Sequence, residues 1–196
     1  MSAVLKQYIT PEQYLELERQ AESKSEYFAG EIFAMAGASP EHSLISSNVL
    51  GDLWSQLREG PCTVYNSDMK VRSTQEHYAY PDVTVVCGEA QFAGEEREVL
   101  LNPTLIVEVL SPTTEAWDRG GKFEQYRQHE SLQEYVLIAQ DRPHLERFAR
   151  QAEGQWLLTE VNGLEAVLAL PSIGCELSLS GVYGKVAFPE PRTGRP

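Results

Sequence analysis

Apolar positions along the chain follow two periods. Leu44, Ile45, Val49, Leu53, Trp54 and Leu57 recur at helical spacing behind Ser39-Pro40-Glu41, and Gly60-Pro61 stops the run. A shorter helix opens at Thr10-Pro11-Glu12, with Thr as N-cap and Pro at the first helical position, and should reach about Glu22. Two short apolar runs on either side of Ala29-Gly30 predict a hairpin. A strand pair is expected near 62–66 and 69–73. Two stronger strand signals follow, Pro81-Asp82-Val83-Thr84-Val85-Val86 and Leu105-Ile106-Val107-Glu108-Val109-Leu110. The polar stretch between them, about 88–103, is long for a loop, a trait of functional or mobile segments. Ser111-Pro112 ends the second run. A helix is then expected over about 118–129, a strand in Tyr135-Val136-Leu137-Ile138, and a β-meander at 144–149, 155–161 and 164–169. This order predicts an α/β fold in which a central mixed sheet is flanked by helices and followed by a C-terminal β-meander. One domain is expected over 1–188, and the tail 189–196, with three prolines and two arginines, is expected to be disordered.

One residue breaks the apolar pattern. Glu108 stands inside a run that otherwise reads as a buried strand, where an unpaired carboxylate is costly. Such a group is normally paired, protonated or bound to a metal. Strand alternation points it with Ile106 and Leu110, away from Val107 and Val109. Asp82 follows Pro81 at the mouth of the other strong strand. If the two strands pair, both carboxylates can converge on one divalent cation, and Mg²⁺ often takes only one or two carboxylates plus substrate phosphates. Lys122 comes from the following helix, about 40° around the wheel from Tyr126 and so beside its inward face. The preceding Gly120-Gly121 would allow close backbone approach, and a lysine there could hold a phosphate or orient water.

Composition adds limits. The chain has 196 residues, 42% of them hydrophobic, enough for a packed core. Its net charge of −13 argues against holding nucleic acid by overall charge, although a cation-binding site needs carboxylates and local basic patches can coexist with an acidic body. Cys62, Cys87 and Cys175 form no Cys-x-x-Cys pair, which disfavours a zinc ribbon or redox dithiol. Read as free thiols, they fit a reducing, cytoplasmic setting. No signal core opens the chain and no apolar run approaches membrane-spanning length, so no membrane association is expected.

At these residues the chain resembles the PD-(D/E)XK nuclease superfamily and, more closely, the Uma-two family, often labelled "putative restriction endonuclease". The matching stretches are Tyr27-Phe28-Ala29-Gly30-Glu31-Ile32, Ser39-Pro40-Glu41-His42, Tyr80-Pro81-Asp82-Val83 and Val107-Glu108-Val109-Leu110-Ser111-Pro112-Thr113-Thr114. They continue with Asp118-Arg119-Gly120-Gly121-Lys122-Phe123-Glu124-Gln125-Tyr126 and Glu134-Tyr135-Val136-Leu137-Ile138. The resemblance covers roughly residues 10–150. It implies a restriction-endonuclease-like fold and Mg²⁺- (or Mn²⁺-) dependent hydrolysis of phosphodiesters, with DNA as the expected nucleic-acid partner. It also implies that Asp82 and Glu108 ligate the metal with help from the Val109 carbonyl, that Lys122 assists catalysis and that Glu31 is a further acid of the site. The superfamily's simple pattern has lysine two residues after the glutamate. Leu110 stands there in this chain, and the Uma-two-type pattern supplies the lysine from the next helix. A homodimer is compatible with cutting both strands of a duplex.

Plainer roles compete. Asp82 could be a strand-start residue, Glu108 and Lys122 a buried ion pair without catalysis, and Glu31 an exposed turn acid. His42 has no second His or Cys at ligand spacing and reads as a satisfied histidine ahead of a metal ligand. His42, Arg119 and Tyr126 are candidates for substrate contact or for shaping the site, with Arg119 equally suited to phosphate or to nearby carboxylates. Ser111 and its neighbouring threonines have no partner histidine in a recognisable context, which disfavours a serine hydrolase. The rival function is a catalytically silent nuclease-fold module that binds metal, nucleic acid or a protein partner.

Overall fold

The computed structural model describes residues 8–94 and 96–188. The expected disordered tail, 189–196, lies outside the described residues. Helix α1 (Pro11–Gln20) starts as expected. Thr10 and Gln13 form a reciprocal capping box, and the buried Tyr14 donates to the Ser25 carbonyl at 2.6 Å. Strands β1 (Ser25–Phe28) and β2 (Glu31–Ala34) form the predicted hairpin. Its two central residues, Ala29 and Gly30, both have positive φ, 48° and 87°, as a two-residue turn that follows strand twist requires. Helix α2 (Pro40–Leu57) is capped by Ser39. It buries Ile45, Val49, Leu53 and Leu57, whereas Leu44 and Trp54, counted in the expected stripe, are exposed.

The central sheet has the order β12-β11-β10-β9-β6-β3. It is built from β3 (Cys62–Asn66), β6 (Val83–Cys87), β9 (Leu105–Leu110), β10 (Glu134–Ala139), β11 (His144–Arg150) and β12 (Trp156–Asn162). The two strong strand signals, β6 and β9, are antiparallel neighbours, with Val83 opposite Val107. Strand β10 runs parallel to β9, so a crossover must join them. A helical segment supplies it: α3 (Glu115–Trp117), a π turn (Asp118–Lys122) and α4 (Phe123–Tyr126). The predicted helix over 118–129 thus begins earlier, contains a π turn and ends at Tyr126.

A second sheet, β2-β1-β5-β4-β8-β7, adds β4 (Lys70–Thr74), β5 (His77–Ala79), β7 (Phe92–Ala93) and β8 (Val99–Leu100). Strands β3 and β4 therefore do not pair with each other, because they belong to different sheets. The stretch expected as a long loop, 88–103, carries β7 and β8, which pair antiparallel and close the second sheet. The third meander strand, β13 (Val167–Leu170), leaves the central sheet to pair with β14 (Cys175–Ser178), beside the short helix α5 (Leu179–Val182).

The central sheet separates two cores. On one face α2, β13, β14 and α5 pack on Val83, Val85, Val107, Val109 and Val136. On the other, Val71, Ala79 and Leu100 of the second sheet meet Ile106, Leu110, Tyr126, Tyr135 and Leu137. Cys62 and Cys87 face each other in the β3–β6 register and form a disulfide, while Cys175 is free and buried. The expectation of three free thiols is corrected by this register, which cysteine spacing does not reveal. With it goes the thiol argument for a reducing compartment. Among the described residues no helix is long and apolar enough to cross a membrane.

Candidate functional site

The second face of the central sheet is not apolar throughout. Glu108 projects from β9 on that face, 5% exposed among aromatic and aliphatic neighbours. Alternation along the strand places it with Ile106 and Leu110, as expected. Its Oε1 accepts from the Tyr126 hydroxyl at 3.0 Å and lies 3.0 Å from Lys122 Nζ. Burial raises its pKa well above the ordinary carboxylate range. Lys122 offsets part of that shift, and Asp118, Asp82 and Glu26 add to it.

Lys122 reaches this position through the π turn, which buries both Asp118 and Lys122. A π turn adds a residue to a helical turn and is frequent at functional sites. Gly121 permits it, since a Cβ there would stand 1.9 Å from the Trp117 ring. Lys122 Nζ lies 2.9 Å from Glu26 Oε1 and 3.6 Å from Asp118 Oδ1, besides Glu108. Burial would lower its pKa, but Glu108, Glu26 and Asp118 outweigh burial and raise it well above the ordinary lysine value. Asp118 is raised as well. Burial is the main cause, partly offset by Lys122 and a hydrogen bond involving Thr114.

Asp82 sits just before β6, next to the strand that carries Glu108. The Val109 N–H donates to its Oδ2 at 2.7 Å, which fixes the carboxylate against β9. His42, in the first turn of α2, brings Nε2 to 3.3 Å from the same oxygen. Burial lowers the His42 pKa, but Asp82 and the Val109 backbone outweigh it and leave the imidazole raised.

The expected residues thus fall into two contact sets joined through neighbouring positions of β9: Asp82 with the Val109 backbone and His42, and Glu108 with Lys122 and Tyr126. Two members of the Lys122 set, Glu26 and Asp118, were missed. Asp118 had a signal, standing four residues before Lys122 on a helical stretch. Glu26 also had one. It precedes the buried Tyr27, so strand alternation turns it to the other face. Glu31 is the first residue of β2, opposite Phe28 in the hairpin register and partly exposed. Buried His77 stacks edgewise on Tyr126 and bonds through Nδ1 to Ser73 Oγ, and burial holds its pKa down to about 3. It therefore adds a neutral wall beside the charges.

Arg119 turns away from this cluster. It donates to Glu115 at 2.8 Å and pairs with Glu146, so its partners are carboxylates. Glu146 also accepts from His144 Nε2 at 2.8 Å. His144, Glu146 and Glu160 bring ligand atoms within 4.8 Å of one another. By residue type they resemble a metal site, yet a cation there would compete with Arg119 for Glu146. Burial pushes Glu146 up, but hydrogen bonds from Arg119 and His144 outweigh it and hold it below the ordinary range.

The donors at Asp82, Glu108 and the Val109 backbone suit a hard divalent cation. Asp82, just before β6, and Glu108, on the neighbouring β9, offer carboxylate oxygens, and the carboxylates around Lys122 outnumber it. The buried, raised Glu108 supports the fit, because its charge is incompletely compensated.

Comparisons with known proteins agree with the Uma-two resemblance. The Uma2 family model, described as "Putative restriction endonuclease", matches residues 11–180. The chain is 36% identical over 181 residues to an uncharacterized protein of Synechocystis sp., slr1290, covering 92% of this chain and 94% of that one. It is 38% identical over 159 residues to a second uncharacterized Synechocystis protein, sll1609, covering 81% and 90%. Its fold is similar to the crystal structure of "a putative nuclease belonging to DUF820" from Anabaena variabilis. The TM-score is 0.74 and the sequence identity 20%, over 91% of this chain and 99% of that one.

Proposed function

This chain belongs to the Uma2 family, and on that premise we propose that it is a divalent-cation-dependent endonuclease hydrolysing phosphodiester bonds in DNA. The observation that carries this reading is the meeting of Glu108, Lys122 and the Asp82–Val109 contact on neighbouring strands beside the crossover helix. Asp82, Glu108 and the Val109 carbonyl are the residues that would hold Mg²⁺ or Mn²⁺. When bound, the cation would supply Lewis acidity at the phosphate and lower the pKa of water. Lys122 stabilises charge developing on the phosphate oxygens or orients the attacking water. Tyr126 holds Glu108 through its hydroxyl, and His77 and the surrounding aromatics keep this end of the site dry. Glu31 is retained as a candidate further acid, whereas Arg119, paired with Glu115 and Glu146, takes no part in this reading.

The test is cleavage of single-stranded, duplex and branched DNA, with RNA controls, in Mg²⁺ or Mn²⁺. Asp82→Asn and Lys122→Gln run alongside, with circular dichroism to establish that each variant folds. The expected result is cation-dependent scission by the wild type and a loss of at least ~100-fold in each variant, in keeping with losing a metal ligand or an electrostatic stabiliser. Scission that survives both substitutions would overturn the site assignment. The net charge of −13 favours the silent-module reading. Cation binding without cleavage of any substrate would select it.

A further inference from the structure

His42 lies three residues before Ile45 and seven before Val49, so it continues the buried stripe of α2 to the end of the helix nearest Asp82. Its position is fixed from two sides. Pro40 occupies the first turn and Ser39 Oγ accepts the His42 N–H at 3.1 Å, while the rest of the stripe is locked in the core. The ring thereby meets one of the groups assigned above to the cation, Asp82 Oδ2, at 3.3 Å.

That contact is not needed to hold Asp82, because the Val109 N–H already holds the same oxygen at 2.7 Å. It does match the spacing of two donors on one cation. Ligands bound cis at about 2.1 Å stand roughly 3 Å apart in octahedral coordination. We propose that His42 is a further ligand of the cation at Asp82, adding an imidazole nitrogen to the oxygen donors, so that the site takes Mn²⁺ in preference to Mg²⁺. This rests on the cation-dependent reading of the site. The chemical reason is that Mg²⁺ strongly favours oxygen donors, whereas first-row transition ions accept imidazole readily. The rigid helix matters here: a nitrogen donor delivered by a mobile loop would discriminate less, since it could withdraw when Mg²⁺ arrives.

The experiment titrates the full chain with MnCl₂ and with MgCl₂ by calorimetry, for wild type, His42→Gln and Asp82→Asn. Thermal melts without metal check that each variant folds. Mn²⁺-loaded samples are also examined by electron spin-echo envelope modulation, which detects a directly bound ¹⁴N. Wild type is expected to bind Mn²⁺ at least ~10-fold tighter than Mg²⁺ and to show ¹⁴N modulation. His42→Gln should lose most of that preference, with Mg²⁺ affinity changed less than ~3-fold, and lose the modulation. If Asp82→Asn abolishes binding of both ions but His42→Gln binds and modulates like wild type, the histidine assignment is overturned while the cation site stands. If wild type binds neither ion, the cation site falls, and this inference with it.

Discussion

Two ionic clusters hang from the same helical segment, and they are built on opposite principles. Lys122 points into the sheet interface and faces Glu26, Glu108 and Asp118. Three residues earlier, Arg119 faces Glu115 and Glu146, and His144 adds a second donor to Glu146. Both clusters contain carboxylates that burial alone would push up. In the first, Glu108 and Asp118 stay raised. In the second, Glu146 ends below the ordinary range. Glu108 and Glu146 each meet two donors, but Glu108 is enclosed more deeply and shares its one cationic partner, Lys122, with Glu26 and Asp118, whereas Glu146 faces both Arg119 and His144. The Arg119 cluster is satisfied by the protein itself. The Lys122 cluster is short of positive charge, and that shortage makes it the better place for a cation, although the His144–Glu146–Glu160 group has the more metal-like composition.

The largest effect should come from removing the lysine. Lys122→Met leaves Glu108 and Asp118 buried without their cation, and breaking a buried ion pair from one side costs about 3–5 kcal/mol. Urea unfolding at neutral pH without metal should show that loss. A change under about 1 kcal/mol would mean that the carboxylates find other compensation, and the contrast between the clusters would collapse.

Arg119→Ala should cost less, about 1 kcal/mol, because the guanidinium is partly exposed and His144 remains on Glu146. Its pH dependence has a definite sign. The folded pKa of Glu146 is depressed, so its contribution is present above the unfolded value near 4.3 and disappears as pH falls through the folded value. The difference in melting temperature between wild type and Arg119→Ala should therefore be full at pH 7 and shrink below about pH 4. A gap that stays constant across this range would show that Arg119 acts by packing rather than charge.

How far each cluster was legible in the sequence follows from the range of the signals involved. Glu108 was visible because a single charge in an apolar strand is a local anomaly. Lys122 was visible on the helical wheel, and His42 in the stretch Ser39-Pro40-Glu41-His42. Pairing was not visible. The strands expected near 62–66 and 69–73 read as a pair because they adjoin in sequence, yet each joins a different sheet. The same blindness to register hid the Cys62–Cys87 bond. The polar stretch at 88–103 looked like a loop because β7 and β8 are only two residues each, too short for a periodic signal. Glu26 was overlooked because its partner is a lysine almost a hundred positions away, brought near by the packing of one sheet and the crossover helix on the other. The π turn left only the Gly120-Gly121 pair as a trace.

A change no larger than that of Arg119→Ala sharpens the comparison most, because its sign is the reverse of the usual one. Glu108→Gln keeps the shape of the side chain and an acceptor for the Tyr126 hydroxyl, and Lys122 keeps Glu26 and Asp118. What it removes is a buried negative charge. A carboxyl whose folded pKa is raised favours folding only while protonated. Relative to the plateau below its unfolded value near 4.3, it loses stability as pH rises through the folded value. The substitution should therefore leave stability nearly unchanged near pH 4 and raise it by about 1 kcal/mol at pH 7 in the absence of metal. A divalent cation would stabilise the wild type and help the variant much less, so the order of melting temperatures should invert when Mn²⁺ is added. If Glu108→Gln is instead destabilising at neutral pH without metal, the Lys122 pair compensates Glu108 fully. The two clusters would then be alike, and the shortage of positive charge that points to a cation would be gone.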